Sequence, residues 1–213
     1  MATVSHVEGR VEISTTRLLL RGARATSDEE AALYEAFSDP EVTKYMGSEP
    51  HTCLTSTAKW LSTMVDSPQN GVTDFIITLT TSTPGPPVTV GKIGIWRDQE
   101  IGFFLARKYW GQGIAQEALN ALIPYLFGEE RMNEITADVD PDNESCIGLL
   151  KKVGFVVYGF RKRTYKVGEK WFDSQYMILR RETWQWTRRT HDAAMSAKSA
   201  HVNDERSLTW SLG

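Results

Sequence analysis

The chain has 213 residues, of which 41% are hydrophobic and 24% charged, and its formal net charge is −3 at pH 7. That length suits one domain with a substantial core, and the slightly acidic balance argues against general nucleic-acid binding, which needs a basic footprint. No apolar run approaches the roughly 18 residues that span a membrane, no apolar signal region follows the N-terminus, and two cysteines make no disulfide framework. We therefore expect a cytoplasmic protein with neither a membrane nor a nucleic-acid partner.

The first half of the chain predicts two helices and three strands. Residues 1–13 are expected to form a loose, flexible arm before a short strand at residues 17–21. Residues 27–30 have the spacing of a capping box, which predicts a helix that runs to about Ser38. A second helix is expected over residues 55–65. Antiparallel strands are predicted at residues 74–80 and 88–97, joined by the turn-forming residues 82–87.

The second half predicts alternating strands and helices that end in a hairpin. A strand at residues 100–106 leads through Gly111 and Gly113 into a helix whose apolar residues recur at helical spacing. Pro124 lies inside that helix and should kink or split it, because proline removes one backbone hydrogen bond. The remaining predicted elements are a strand at 134–139, a short helix at 145–153 and a hairpin of strands at 155–166 and 170–180. Residues 185–213 are expected to form a tail that is either disordered or docked.

The turn at Gly111 and Gly113 is the first candidate for ligand binding. Glycine has no Cβ, so the backbone can turn sharply there and approach a ligand closely. The unpaired amides at the start of a helix attract phosphate. A Gly-x-Gly pair alone also fits a turn that serves packing only. Two common phosphate motifs do not match, since no Lys-Ser or Lys-Thr follows the second glycine and no third glycine completes the dinucleotide fingerprint.

A second motif, about thirty residues later, sharpens this interpretation. The run from Asp140 to Phe155 contains Asn143, a serine two residues further on and the sequence Lys152-Val-Gly-Phe. Together the two segments resemble the GNAT superfamily of acyl-CoA N-acyltransferases. The first is similar to the pyrophosphate-binding motif Arg/Gln-x-x-Gly-x-Gly/Ala of that superfamily, with Lys108 in the Arg/Gln position. The second is similar to its segment with Asn, Ser and Lys-x-Gly-Phe.

Two further segments are typical of one GNAT branch, the RimJ/RimL type that acetylates the N-termini of ribosomal proteins. These are residues 16–21 and residues 171–184. The resemblance covers residues 14–184 as one domain and implies an α/β (α+β) fold, with a mixed, mostly antiparallel sheet of six to seven strands flanked by helices. Its central strands, 100–106 and 134–139, should run parallel and splay apart at their C-terminal ends. The pantetheine arm of CoA would then pair with the strand backbone groups that the splay leaves open.

The resemblance also implies which residues bind the cosubstrate, acetyl-CoA. Amides of the first motif should hold the pyrophosphate, main-chain groups of residues 103–105 the pantetheine arm, and Asn143 the pantetheine amides. Taken alone, the glycines fit a tight turn, the phenylalanines an ordinary core and Asn143 a helix N-cap. No metal is expected, because the four histidines show no ligand spacing. The expected cofactor-binding residues are Phe103, Phe104, Leu105, Lys108, Tyr109, Trp110, Gly111, Gln112, Gly113, Ile114, Ala115, Asn143, Cys146 and Lys152.

Chemistry on an amine requires a neutral nucleophile, and the pKa is about 7.7–8.0 for an α-amino group and about 10.4 for lysine. Glu100 matches the position where several GNAT enzymes carry a general base, although it also fits an ordinary strand-end carboxylate. Asp138 and Asp140, which flank the other splayed strand, are the alternatives. An N–H near Leu105 is expected to stabilise the thioester oxygen. The tyrosine acid of many GNAT enzymes is Leu150 here, which leaves Cys146, a water or unassisted departure of the thiolate.

The acceptor site is expected in the segment between the first two helices. Residues 45–52 typically line the acceptor site in the superfamily, and the expected substrate-binding residues are Tyr45, Glu49, His51 and Trp96. The implied function is transfer of an acetyl group from acetyl-CoA to a primary amine, on a protein or peptide N-terminus or on a small molecule. The alternative is a non-catalytic acyl-CoA binding or sensing protein, which Leu150 favours. We expect a monomer or a homodimer.

Overall fold

The structure, a computed structural model, describes residues 2–65, 73–80 and 87–185. These residues form one sheet with helices on both faces. The strands are β1 (Thr3–Val7), β2 (Arg10–Ser14), β3 (Leu18–Arg21), β4 (Thr73–Leu79), β5 (Val88–Arg97), β6 (Glu100–Leu105), β7 (Glu134–Val139), β8 (Val156–Val167) and β9 (Lys170–Arg180). The helices are α1 (Ser27–Phe37), α2 (Pro40–Thr43), α3 (Leu54–Val65), α4 (Ile114–Gly128) and α5 (Glu144–Lys152), with a 3-10 turn at Arg107–Tyr109 and helical residues 181–185 after β9.

The sheet confirms the predicted mixed, mostly antiparallel fold. Its strand order is β1-β2-β3-β4-β5-β6-β7-β9-β8, and in the described part of the chain only β6 and β7 run parallel. These two strands share one register pair, Glu100 with Thr136, beside a 2.9 Å hydrogen bond from the Thr136 amide to the Gln99 carbonyl. Beyond this point their ladder does not continue. The two strands therefore splay toward their C-terminal ends, as predicted.

The first two strands correct the expectation of a loose arm at residues 1–13. β1 and β2 form an antiparallel hairpin whose turn, Glu8 and Gly9, has positive φ angles of 50° and 77°. In β2, Ile13 is fully buried, whereas all five β1 residues are exposed. Because an exposed strand has no apolar periodicity, β1 leaves no pattern in the sequence and forms only by pairing with β2. The sheet consequently has nine strands instead of six to seven.

Apolar side chains form two clusters, one on each face of the sheet. The larger cluster lies under α4 and α5, and the smaller one joins α1 and α3 to the opposite face. The side chains of Ile101 and Leu105 point into the larger cluster and that of Phe104 into the smaller one, as the two-residue period of a strand requires. Strand β6 therefore lies at the centre of the fold, buried on both sides.

The start of α1 corrects one local prediction, and Pro124 does not split its helix. Thr26, not Ser27, is the N-cap of α1, since its backbone is extended and its hydroxyl accepts from the Glu29 amide at 3.4 Å. Helix α4 is a single helix that runs through Pro124. Both of its neighbours, Ile123 and Tyr125, are buried, so packing holds the helix together across the missing hydrogen bond. The predicted turn at 82–87, except for its last residue, and the tail after residue 185 lie outside the described residues.

Candidate functional site

The glycine turn between β6 and α4 forms an open, amide-rich loop. Gly111 and Gly113 have φ angles of 70° and 74°, a left-handed conformation that side chains other than glycine rarely adopt. A Cβ placed on Gly111 would meet nothing within 4 Å. Gly113 is the N-cap of α4, and no side chain of the described residues caps it. The first amides of α4 therefore have no capping side chain among the described residues and lie at the positive end of the helix dipole, which suits a phosphate group.

Arg17 supports this loop and was not foreseen from the sequence. Its Nε donates to Glu117 Oε2 at 2.7 Å, and its Nη1 donates to the carbonyl of Gln112 at 3.1 Å. Thr15 completes the clamp by donating from Oγ1 to Glu117 Oε1 at 2.6 Å. Partial burial raises the pKa of the Glu117 carboxyl, but these hydrogen bonds outweigh it and lower that pKa overall. Arg17 thus adds a positive charge within 3.7 Å of where a Gly113 Cβ would lie.

The other predicted cofactor-binding residues differ in whether their side chains are free to reach a ligand. The ammonium group of Lys108 pairs with Glu35 at 2.6 Å and lies 5.3 Å from the centroid of the Tyr109 ring. The bond to Glu35 raises the pKa of Lys108 and turns its charge toward α1. Ile114 is buried, so it can offer only its amide, and Ala115 also packs on the core. Lys152 is exposed at the end of α5.

The main chain of β6 presents its polar groups alternately to β5 and to the gap. The Ala106 amide donates to the Val90 carbonyl at 2.9 Å, which orients residues 102, 104 and 106 toward β5. Residues 103 and 105 consequently face β7, where the strands splay. The Leu105 carbonyl accepts from the indole N–H of Trp110 at 2.9 Å. The main-chain polar groups of Phe104 pair with β5, so they do not face the gap between β6 and β7.

Three residues on α5 bear on the second motif. Asn143 is the N-cap, and its Oδ1 accepts from the Cys146 amide at 3.1 Å, which leaves its NH₂ group as a donor. Burial raises the pKa of the Cys146 thiol to about 12. Leu150 is fully buried in the core. Neither Cys146 nor Leu150 can supply a proton readily at neutral pH.

Glu100 lies where β6 and β7 meet, at the base of the splay. Its Oε1 accepts from the indole N–H of Trp96 and its Oε2 from the Arg97 guanidinium, each at 3.1 Å. The guanidinium also stacks over the Trp96 ring, 4.6 Å from its centroid. The carboxylate is thus held in one orientation. It points to the same face of the sheet as Phe104, opposite the face covered by α4.

Asp138 lies on the same face, one strand away from Glu100. Partial desolvation raises the pKa of its carboxyl, and a hydrogen bond with Ser174 and the charge of Arg97 oppose this shift. Tyr176 is its register partner on β9, and the Tyr158 ring from β8 lies 6.0 Å from the Tyr176 ring. Two carboxylates and the rings of Trp96, Tyr158 and Tyr176 therefore lie near the base of the splay, and this combination is electrostatically complementary to a cation.

The segment between α2 and α3 lies near the β7–α5 turn and the tip of the β8–β9 hairpin. The Tyr45 hydroxyl donates to the Asp142 carbonyl at 3.2 Å, and a Cβ on Gly168 would lie 3.1 Å from the Glu49 carboxylate. Both residues thus bridge to the β7–α5 turn and the tip of the β8–β9 hairpin. His51 instead stacks on Phe37 at 4.4 Å and hydrogen-bonds Thr57, and burial lowers its pKa. His51 serves the packing of α1 and α3.

Comparison with known families agrees with this arrangement. A family described as acetyltransferase (GNAT) domain matches residues 17–156, which include Arg17, the glycine loop and α5. The chain belongs to the GNAT acetyltransferase family.

Individual relatives of this GNAT protein agree. An uncharacterized N-acetyltransferase, p20 of Bacillus licheniformis, is 31% identical over 79% of this chain and 96% of its own length. The [ribosomal protein uS5]-alanine N-acetyltransferase of Escherichia coli is 29% identical over 39% of this chain and 43% of its own. Spermidine N-acetyltransferase from Vibrio cholerae, solved with CoA and spermine, shares the fold with a TM-score of 0.66 and 16% identity over 80% of this chain and 99% of its own.

Two kinds of feature are absent from the part of the chain that the structure describes. Among residues 2–65, 73–80 and 87–185, no helix is long and apolar enough to cross a membrane. Over the same ranges no group of three or more His, Cys, Asp or Glu side chains could hold a metal ion.

Proposed function

We propose that the protein transfers the acetyl group of acetyl-CoA directly to a primary amine, either on a protein or peptide N-terminus or on a small molecule. The observation that carries this proposal is the pairing of the splayed β6–β7 gap with an uncapped α4 start reached through two left-handed glycines. One feature alone would fit a packing turn or an irregular sheet. Together they form a continuous backbone surface that fits a pyrophosphate followed by a chain of amides.

Each part of acetyl-CoA has a partner in this arrangement. The amides of residues 109–115 would hold the pyrophosphate, with the Arg17 guanidinium adding charge beside Gly113. Main-chain groups of Phe103 and Leu105 face the gap and would pair with the pantetheine arm. The cosubstrate supplies the acetyl group as an activated thioester. The Leu105 amide is the donor that we assign to the thioester oxygen.

Glu100 is the base that we assign to the amine, acting through water. Its carboxylate is fixed at the base of the splay by Trp96 and Arg97, on the face open to an acceptor. Asp138 is the second candidate, because it lies on the same face and partial desolvation raises its pKa, which favours proton uptake. An α-amino group needs little help from either, whereas an amine with a pKa of about 10.4 depends on them strongly.

Neither Leu150 nor Cys146 offers the departing thiolate a side-chain acid. Leu150 is buried, and the Cys146 thiol, with a pKa of about 12, is a poor donor. A simple thiol has a pKa of about 8.5, so its thiolate is a good leaving group without protonation. We infer that the thiolate departs unassisted or takes its proton from water.

A thiol-release assay with acetyl-CoA, a panel of small amines and peptides with free N-termini tests the proposed reaction. Acetylated amine and free CoA should appear in equal amounts. Peptides with blocked N-termini that lack lysine serve as controls and should release no thiol. Absence of release with every amine would contradict the proposal.

Leu150 favours a second candidate function, a non-catalytic protein that binds or senses acyl-CoA. The buried leucine leaves the usual acid position unable to act. Calorimetry with acetyl-CoA, run beside the release assay, separates the two functions. Micromolar binding without any turnover would favour the sensor, and turnover with even one amine would exclude it.

A further inference from the structure

The outer edge of β8 exposes an apolar strip that a lone globular domain would normally cover. Val156, Val157, Tyr158 and Phe160 are each between 45% and 57% exposed. β8 is the last strand in the sheet order, so no strand of the described chain pairs with its outer edge. We call residues 156–163 the β8 strip. Exposed apolar side chains on an open edge mark a place where an extended chain can add to the sheet.

The strip ends in a concentration of positive charge. Between residues 161 and 173 the sequence has five lysines and arginines and two carboxylates, in a chain whose net charge is −3. Arg163 has a positive φ of 52° within a register shift, its amide donates to Asp173 Oδ1 at 2.9 Å, and its guanidinium lies over the Trp171 ring, 5.1 Å from the centroid. The positive charge of Arg163, at least, is therefore held in place.

The strip is continuous with the candidate acceptor site. Arg161 is the register partner of Ser174, whose hydroxyl hydrogen-bonds Asp138. The Tyr158 ring lies beside Tyr176, and its pKa is raised by partial desolvation, by Tyr176 and by nearby carboxylates that include Asp138. A chain added outside β8 lies three strand spacings of about 4.8 Å from β7, so about four extended residues bridge the two.

We propose that the β8 strip docks the acceptor, an acidic polypeptide with a free N-terminus. Its first four residues cross β8 and β9 with the amine directed at Asp138 and Glu100. Its following residues pair along β8, with their carboxylates beside Arg161, Lys162 and Arg163. The inference rests on the proposed function and narrows its acceptor to a polypeptide. In the transfer itself the N–C(acyl) bond forms, the thioester C–S bond breaks, the ammonium proton leaves through water to Glu100, and the sulfur keeps the electron pair.

Three synthetic peptides test this inference. They share the same first four residues and a free N-terminus, and continue with Asp/Glu, with Ser/Gly or with Arg residues. For the wild-type protein, kcat/KM should be highest for the acidic peptide and lowest for the basic one. Arg161→Glu combined with Lys162→Glu should reverse that order, with a loss of roughly tenfold for the acidic peptide. The matched control, Lys151→Glu on α5, should leave the order unchanged.

A binding measurement keeps this test separate from the proposed reaction. Fluorescence anisotropy with the same peptides, acetylated at the N-terminus, reports docking whether or not turnover occurs. Weaker binding of the acidic peptide to the double variant, with the fold intact by circular dichroism, supports the strip. Equal affinity for acidic and basic peptides would overturn it. So would turnover of spermidine at a higher kcat/KM than any peptide, unaffected by the double variant, although that result would still uphold acetyl transfer.

Discussion

The two ends of the candidate site differ in whether backbone groups or side chains form them. On the cofactor side, the surface is mostly backbone: two left-handed glycines, the first amides of α4 and the main chain of β6. On the acceptor side, it consists of side chains from distant segments, among them Glu100, Asp138 and Tyr158. A backbone site requires particular residues at fixed spacing, because few residues allow its conformation. A side-chain site needs only suitable chemistry at its surface, so its sequence can change with the acceptor.

Gly113→Glu should produce the largest effect and tests the cofactor side. A side chain at φ 74° costs roughly 1–2 kcal/mol of strain. The added carboxylate would also repel the pyrophosphate by about 3 kcal/mol, or roughly 100-fold in affinity. Isothermal titration calorimetry with acetyl-CoA measures the loss. Gly113→Ala is the control, since it carries the strain without the charge and should bind much better than the glutamate variant.

Glu100→Gln should give the next largest effect and tests the acceptor side. The amide keeps the size of the side chain but not its basicity, so kcat should fall by up to about 10²-fold at low pH. The deficit should shrink as pH rises toward the pKa of the amine, because the amine then loses its proton unaided. Acetyl-CoA affinity should stay unchanged. A loss that is independent of pH and accompanied by weaker cofactor binding would make Glu100 structural and direct attention to Asp138.

Asn143→Ala sharpens the comparison, because Asn143 serves the backbone of α5 and, by our proposal, the cofactor. Loss of the cap should cost about 1 kcal/mol of stability, and loss of the amide donor about 1–3 kcal/mol of binding if the contact is buried. Asn143→Asp separates the two roles, since it keeps the cap oxygen but lacks the NH₂ group. Thermal unfolding and calorimetry should show a stable aspartate variant with weakened acetyl-CoA binding. Normal binding in both variants would reduce Asn143 to a cap.

Arg17→Gln should have the smallest effect of the four. The arginine is 47% exposed, so solvent screens its charge, and its removal should weaken acetyl-CoA binding by roughly fivefold, or about 1 kcal/mol. Arg180→Gln removes an exposed charge outside the loop and serves as the control, with no change expected. The dissociation constant should also depend less on salt in Arg17→Gln than in the wild type. Unchanged affinity and salt dependence would show that Arg17 serves the loop without reaching the cofactor.

The predictability of the fold follows the same division between local and distant determinants. The strand, glycine turn and helix from Glu100 to Gly128 were readable because periodicity and glycine spacing are local signals. The cap of α1 was misplaced by one residue, since Thr26 and Ser27 are both good caps and only backbone geometry separates them. Strand β1 was missed because its exposed residues carry no pattern.

Site residues that depend on long-range contacts were beyond sequence reasoning. Arg17 lies 95 residues from Gln112, and nothing near it indicates that it clamps the loop. Lys108 matched the motif position, yet the structure pairs it with Glu35 on α1. His51 looked suited to an acceptor, but a neighbouring Phe37 draws its ring into packing. In each case the partner, not the residue itself, decides the role.

Hydrogen exchange measured by mass spectrometry, with and without acetyl-CoA, tests the central claim most directly, because the claim concerns backbone amides. The account predicts slower exchange on binding at residues 103 and 105 and in the segments 109–115 and 137–146. Exchange in the β1–β2 hairpin, residues 3–14, should stay unchanged and provides the internal control. Saturating acetyl-CoA that leaves the exchange of residues 109–115 unaltered, or protects a different part of the sheet, would contradict the account.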